Sequence, residues 1–228
     1  MTIETASRNY RIIINSQPLD DLFTHLSSDT HPAPKISLAD KVDIKEIEEL
    51  PQSWFKNLLY KLLDLRGIFT AHAQQKSETN EILLFTPNWP DTFFKNVFTL
   101  KSEIIEILAH EYGHALGHVP KPPSFAGKIH KLASSPIFNY SFVILLFLAL
   151  NYKRLHYIGT LSNFFDFFIM ALISIPFFTI ELILFSLIGV CISIMIKEVS
   201  AESIGRRLLK KYEQEFLTSV TVTEIKDA

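Results

Sequence analysis

Two long apolar tracts near the end of the chain constrain its fold more than any other feature. Residues 132–152 carry no charged side chain, and residues 157–196 carry only two. The first tract is long enough for one helix to cross the roughly 30 Å of hydrocarbon in a bilayer, whereas the second is too long for a single straight span. Pro176 indicates a break in the second tract, after which residues 176–196 would form a crossing. The pattern predicts a transmembrane helical hairpin.

The rest of the chain is charged and predicts soluble structure on both sides of this insert. We divide the sequence into a soluble region at 1–131, the hairpin at 132–196 and a charged helix at 197–228. The net charge of −2 and the scattered basic residues argue against a nucleic-acid partner. No basic segment followed by an apolar run opens the chain, so we expect no cleavable signal peptide and a start in the cytosol.

Several shorter patterns predict the elements of the soluble region. Residues 9–15 are typical of a buried strand, and residues 67–73 and 81–85 indicate a β-hairpin around a polar connection. Residues 38–49 and 53–65 predict two helices. A strand pair placed ahead of a functional helix favours a sheet edge to which an extended peptide can add itself.

The segment His110-Glu111-Tyr112-Gly113-His114 contains the motif H-E-x-x-H within a helical pattern. That pattern predicts a helix with its N-cap at Ser102 and its end by Val119, where prolines follow. Residues at i and i+4 project from the same face, which suits two neutral imidazoles binding one Zn²⁺. The motif therefore predicts His110 and His114 as metal ligands and Glu111 as the base that deprotonates a metal-bound water.

A catalytic zinc needs a third protein ligand, and this sequence offers it after the apolar insert. The continuation with a third histidine fails because Pro120 occupies that position. Glu198 and Glu202 lie four residues apart, and Ala201 leaves room on that face for another helix to approach. These two glutamates are candidates for the site, and the alternative is a solvated acidic helix face.

The two parts of this site must lie on the same side of a bilayer, so an even number of crossings separates them, and two is the simplest. Only Lys153 and Arg154 occupy the turn of the predicted hairpin. Eight basic residues flank its outer ends: Lys121, Lys128, Lys131, Lys197, Arg206, Arg207, Lys210 and Lys211. By the positive-inside rule, this asymmetry predicts a cytosolic site.

From about Leu83 to Leu209 the sequence resembles the membrane-bound gluzincins, the family of the HtpX heat-shock protease and the CAAX prenyl proteases. Their pattern is H-E-x-x-H, two transmembrane helices and E-x-x-A-D, and here the last element is Glu198-x-x-Ala201-Glu202. Glutamate replaces the final aspartate, and the usual pair of N-terminal transmembrane helices is missing. The resemblance implies an α+β, mainly helical metalloprotease domain with a small β-sheet, interrupted by the transmembrane hairpin.

The resemblance also implies roles for the individual residues. It makes His110, His114 and Glu198 the Zn²⁺ ligands, Glu111 the general base, and Glu202 the acceptor for the remaining N–H of a ligand histidine. Candidate donors to the oxyanion are Tyr212, Arg206 and His118. We interpret the remaining histidines, at positions 25, 31, 72, 130 and 156, as surface or packing residues.

The expected activity is zinc-dependent endoproteolysis of protein or peptide substrates, including membrane proteins, by an integral protein of a bacterial inner membrane. Two alternatives remain at this stage. One is a membrane scaffold that keeps a zinc site without catalysis, and the other is a signalling metalloprotease of the sensor-transducer type. No residue identifies the substrate.

Overall fold

The computed structural model describes residues 2–7, 9–27, 31–38, 73–76, 79–86, 89–119, 121–160 and 164–225. Over these residues the chain is mainly helical with two small sheets, in agreement with the expected α+β class. The two helices predicted within 38–65 lie outside the described residues, except that Leu38 ends a strand.

The first sheet joins the two ends of the chain. Strands β1 (Thr2–Ser7), β2 (Tyr10–Asn15) and β6 (Val220–Glu224) are antiparallel in the order β1-β2-β6. The alternation in β2 buries Ile12 and Ile14 opposite Val222 and Val220. Strand β2 confirms the predicted strand. Strand β6 corrects the expectation that 197–228 is wholly helical, since β-branched residues with a buried strand to pair with end the helix at Ser219.

The second sheet has the order β3-β5-β4, so β4 lies at an edge among the strands that the structure describes. Strand β3 (Lys35–Leu38) runs parallel to β5 (Glu81–Leu84), and β4 (Ala73–Lys76) pairs with β5 in antiparallel fashion. The hairpin was predicted, but its first strand falls in the segment that we expected to be the connection. Residues 67–72 lie outside the described part of the chain. Polar side chains suit β4 because an edge strand is half solvated.

Helices α1 (Gln17–Ser27) and α2 (Val97–His118) pack into the core with both sheets, and a short 3₁₀ segment (Asp91–Lys95) precedes α2. The side chain of Asn96 caps α2 by accepting a 2.8 Å hydrogen bond from the backbone N–H of Thr99. The expected N-cap at Ser102 is therefore wrong, and the helix begins more than a turn earlier. Its end at Val119 is confirmed.

After the prolines, α3 (Phe125–Ala133) turns back onto α2 and leads into α4 (Pro136–Gly159) and the long α5 (Phe164–Ser219). Residues 132 and 133 thus belong to α3, and the apolar helix α4 begins at Pro136 rather than at the expected residue 132. Pro176 does not end α5; the helix departs from helical geometry only at Tyr212 (φ −131°, ψ 36°).

Helices α4 and α5 pack as a hairpin with exposed apolar side chains. Phe142 and Val143 lie beside Gly189, and Arg154 pairs with Glu181 at 3.1 Å. Over the described residues, one helix, within α5, is long and apolar enough to cross a membrane. A second crossing by α4 remains a prediction.

Helices α2 and α5 approach closely where both carry small residues. A Cβ at Gly113 would lie 3.0 Å from the carbonyl carbon of Ala201, and one at Gly205 would lie 2.8 Å from the carbonyl oxygen of Ala109. Ala201 and Ala109 are fully buried at this contact. The crossing places the segment after the apolar tract directly against the H-E-x-x-H motif.

Candidate metal centre

Three side-chain donor atoms converge where α2 crosses α5. His110 Nε2 lies 3.2 Å from Glu198 Oε2 and 3.2 Å from His114 Nε2, while His114 Nε2 lies 3.5 Å from Glu198 Oε2. A tetrahedral zinc with bonds of about 2.0–2.1 Å separates its ligand atoms by about 3.3 Å. The spacing of the three atoms therefore fits a single ion, and the structure brings together the three residues predicted as ligands.

Glu202 lies behind the first of these histidines, as predicted. Its Oε2 is 3.2 Å from His110 Nδ1, and its Oε1 accepts a 2.6 Å hydrogen bond from Arg206 Nε. With Nε2 turned toward the ligand cluster, the proton of a neutral His110 resides on Nδ1, which donates to Glu202. Arg206 in turn lowers the pKa of Glu202, and the contact with His110 lowers it further.

His130 contacts the second histidine, and sequence reasoning missed this role. Its Nε2 lies 2.9 Å from His114 Nδ1, and the side chain is fully buried. We interpreted His130 as a surface or packing residue because it lies sixteen positions after His114 with no motif around it. The sequence signal that bore on its position was the run of prolines between α2 and α3, since proline ends a helix and favours a change of chain direction.

Glu111 is buried beside His110 and His114, with 6% of its surface exposed. Burial raises the pKa of its carboxyl group, while His114 and His110 and a hydrogen bond from the backbone N–H of Gln75 act to lower it. A raised pKa makes the carboxylate a better proton acceptor near neutral pH. The Gln75 contact also places the edge strand β4 against the predicted base.

The charges of the cluster are coupled. Burial alone would lower the pKa of His110, but the hydrogen bond with Glu198 and the nearby carboxylates raise it to about 9. The hydrogen bonds from His110 and His114 in turn hold the pKa of Glu198 well below its usual range. Without metal, the site is thus a carboxylate paired with a protonated imidazole, and an ion must displace that proton to bind.

An open groove of about 700 Å³ runs along α5 beside the cluster. Its lining residues are His110, Glu198, Val199, Glu202, Ser203, Arg206 and Arg207. Of the three candidate oxyanion donors, only Arg206 lines this groove. His118 packs its ring edge against His130, with centroids 4.8 Å apart, and burial lowers its pKa to about 4. Tyr212 packs partly against the core at the irregular turn of α5.

Comparisons with models of protein families, with curated proteins and with solved structures gave no match. The function is therefore inferred from the geometry of this site.

Proposed function

We propose that this protein is a membrane-anchored zinc endopeptidase. The observation that carries the proposal is the triangle of donor atoms from His110, His114 and Glu198, with sides that match one tetrahedral zinc. A closed structural site would need a fourth protein ligand, and the described residues supply three at this cluster. A zinc ion held by these three residues would keep a fourth position for water, as catalysis requires.

The residues around the cluster support peptide hydrolysis. Zinc, when bound, lowers the pKa of a coordinated water and polarises a carbonyl group. In this proposal Glu111, which is buried beside His110 and His114, takes the proton of the attacking water and passes it to the leaving amine. Glu202 holds the His110 ring through Nδ1, and Arg206 offers a cationic donor at the groove.

An extended peptide is the substrate that the surroundings favour. Strand β4 is the edge of its sheet within the described residues, and its Gln75 reaches Glu111. A peptide that adds to a sheet edge gains backbone hydrogen bonds that do not depend on its side chains. Such binding would place a scissile bond near the base, in keeping with protein substrates of varied sequence.

The apolar hairpin favours an anchor in the bilayer with the site on the cytosolic side. Helices α4 and α5 expose many large apolar side chains, as lipid-facing helices do. Lys153 and Arg154, which were expected in the turn of the hairpin, lie within α4, near the end that leads to α5. The basic residues at the outer ends of the hairpin still outnumber these two, which favours a cytosolic orientation. Lipids and membrane-protein substrates are the partners that this placement implies.

Cleavage of casein by the detergent-purified protein tests the proposal. We expect wild type to contain one zinc and to cleave, and a chelator to abolish cleavage. Glu111→Gln should keep zinc but lose about 10²–10⁴-fold in rate, since it removes only proton transfer. Glu106→Gln, at an exposed position of the same helix, is the matched control and should cleave normally.

Two results would overturn the proposal. A wild-type protein that holds zinc yet cleaves no protein or peptide substrate would favour the non-catalytic scaffold. Equal cleavage by wild type and Glu111→Gln would show that a contaminating protease is responsible.

A further inference from the structure

A buried histidine on α3 has no role in the chemistry described so far. His130 is fully inaccessible to solvent, and its Nδ1 has no hydrogen-bond partner among the described residues. Packing alone does not call for histidine there, because an apolar side chain would fill the same space without leaving a buried N–H unpaired. The polar contact that His130 does make is with His114 Nδ1, at 2.9 Å.

The neighbouring helix leaves space for this ring. A Cβ at Gly117 would lie 2.5 Å from both Cγ and Nδ1 of His130. Glycine lowers the stability of a helix interior relative to alanine, so the residue is unfavourable for α2 on its own. Because Gly117 has no side chain, the imidazole of His130 can pack directly against α2, about one turn from His114.

The direction of the hydrogen bond follows from the atoms that face the cluster. With a metal bound at the cluster, His114 Nε2, which faces His110 and Glu198, would give its lone pair to the ion, and the proton of the neutral ring would reside on Nδ1. Nδ1–H then donates to His130 Nε2, which must be unprotonated.

We propose that His130 is a positioning residue that accepts the Nδ1–H of His114 and holds this ring in the orientation that presents Nε2 to the metal. The inference rests on the zinc site of the proposed function. It gives each ligand histidine its own partner, Glu202 for His110 and His130 for His114. Because His114 is paired with a neutral imidazole rather than with a second carboxylate like Glu202, the site carries less negative charge.

The position of His130 is itself fixed from both ends of α3. Ser124 caps the start by accepting a 3.1 Å hydrogen bond from the backbone N–H of Gly127. At the other end, the buried hydroxyl of Ser193 on α5 donates a 2.6 Å hydrogen bond to the carbonyl oxygen of Ala133. A short helix held in this way can orient a ligand ring without support from solvent-exposed contacts.

Zinc affinity, measured by competition with a chromogenic chelator at pH 7.5 in detergent, tests the proposal independently of cleavage. We expect His130→Phe to weaken zinc binding by about 10- to 100-fold, because the phenyl ring fills the space of the imidazole but has no nitrogen to accept the Nδ1–H of His114. His130→Gln should recover most of the affinity, since its amide oxygen can accept from His114. Gly117→Ala, which displaces the ring and leaves every ligand in place, should also weaken binding. His156→Phe, an exposed histidine on α4, should bind zinc like wild type.

Several outcomes overturn the inference. Wild-type affinity in His130→Phe would show that the hydrogen bond is dispensable, and equal losses in the phenylalanine and glutamine variants would reduce His130 to a packing residue. If the phenylalanine variant does not fold, a loss of more than tenfold in a folded His130→Gln protein overturns it. Zinc binding without cleavage refutes the endopeptidase alone, whereas a wild type that binds no zinc refutes both proposals.

Discussion

Gly113 lies between the two ligand histidines on α2, where that helix crosses α5, and replacing it with alanine tests whether the crossing sets the site. The new Cβ would lie 3.0 Å from the carbonyl carbon and 3.2 Å from the Cα of Ala201, and closer still to the carbonyl oxygen. Non-bonded carbon atoms prefer about 3.5–4.0 Å. All three atoms belong to the helix backbone, so the helices must separate by about 0.5–1 Å.

This separation acts directly on the ligands. Glu198 lies one turn before Ala201 on α5 and moves with it, while His110 and His114 stay on α2. Distances in a zinc site tolerate about 0.2 Å, so the shift exceeds the tolerance several-fold. We expect Gly113→Ala to lose at least tenfold in zinc affinity and, by analogy with other misplacements of about 1 Å, roughly 10²-fold in cleavage rate.

The effect on folding is smaller because two contributions oppose each other. Alanine stabilises a helix interior by about 0.8–1.0 kcal/mol relative to glycine. Overpacking costs about 1–3 kcal/mol, so the net free energy of unfolding should fall by about 0–2 kcal/mol. Zinc binding should therefore be damaged more than stability, and chelator competition combined with thermal unfolding in the presence of excess chelator separates the two.

Two further glycines supply the comparison. A Cβ at Gly205 would lie 2.8 Å from the carbonyl oxygen of Ala109, a milder clash than at Gly113, so Gly205→Ala should lose less zinc affinity. A Cβ at Gly189 meets only side-chain atoms, at 3.2 Å and beyond, and Gly189→Ala should bind zinc normally. Wild-type zinc affinity in a stabilised Gly113→Ala protein would refute the claim that this contact holds the ligands in place.

Two other predictions follow from the charges around the cluster. Glu202→Leu removes the acceptor for His110 Nδ1 and should weaken zinc binding about tenfold. Arg206→Gln breaks only an exposed ion pair and should change zinc affinity much less. A larger loss of affinity in Arg206→Gln than in Glu202→Leu, measured by chelator titration, would contradict this assignment. Because the pKa of His110 is raised from 6.5 to about 9, zinc binding at pH 7.5 should release a proton, which calorimetry in buffers of different ionisation enthalpy detects. In the metal-free protein the same shift stabilises the fold fully below about pH 6.5, and this contribution is lost as the pH rises through 9. A binding enthalpy that does not vary with the buffer would show that His110 is already neutral.

The candidate residues of the site were predictable from short-range periodicity, whereas the choice of Glu198 rather than Glu202 as the third ligand came from the family resemblance. The i, i+4 spacing on α2 and the pair Glu198 and Glu202 on α5 each define a helix face without knowledge of the rest of the fold. Only the meeting of those faces needed a long-range argument. Small residues at Gly113 and Ala201 allow the two helix backbones to meet.

Features that depend on distant parts of the chain were not predictable in the same way. Strand β6 forms because β2, more than 200 positions earlier, offers it an edge, and a local helical pattern carries no sign of that partner. The polar residues 74–76 were expected to be a connection because their local pattern does not show that they pair with β5. His130 reaches His114 only because α3 folds back on α2, a consequence of loop geometry.

Helix α5 carries both the longest apolar stretch of the molecule and the carboxylate of Glu198. Between Gly189 and Gly205 the sequence contains no glycine or proline, the residues at which helices usually bend. Glu198 lies only about 3 Å along the axis beyond Ile196, at 1.5 Å per residue. The apolar stretch of α5 and the turn that carries Glu198 are therefore expected to move as one rigid helix. A tilt or rotation of the apolar stretch would shift the Glu198 carboxylate relative to the imidazoles of His110 and His114, which belong to α2. The coordination geometry of the proposed zinc site therefore depends on the orientation of the apolar part of the same helix.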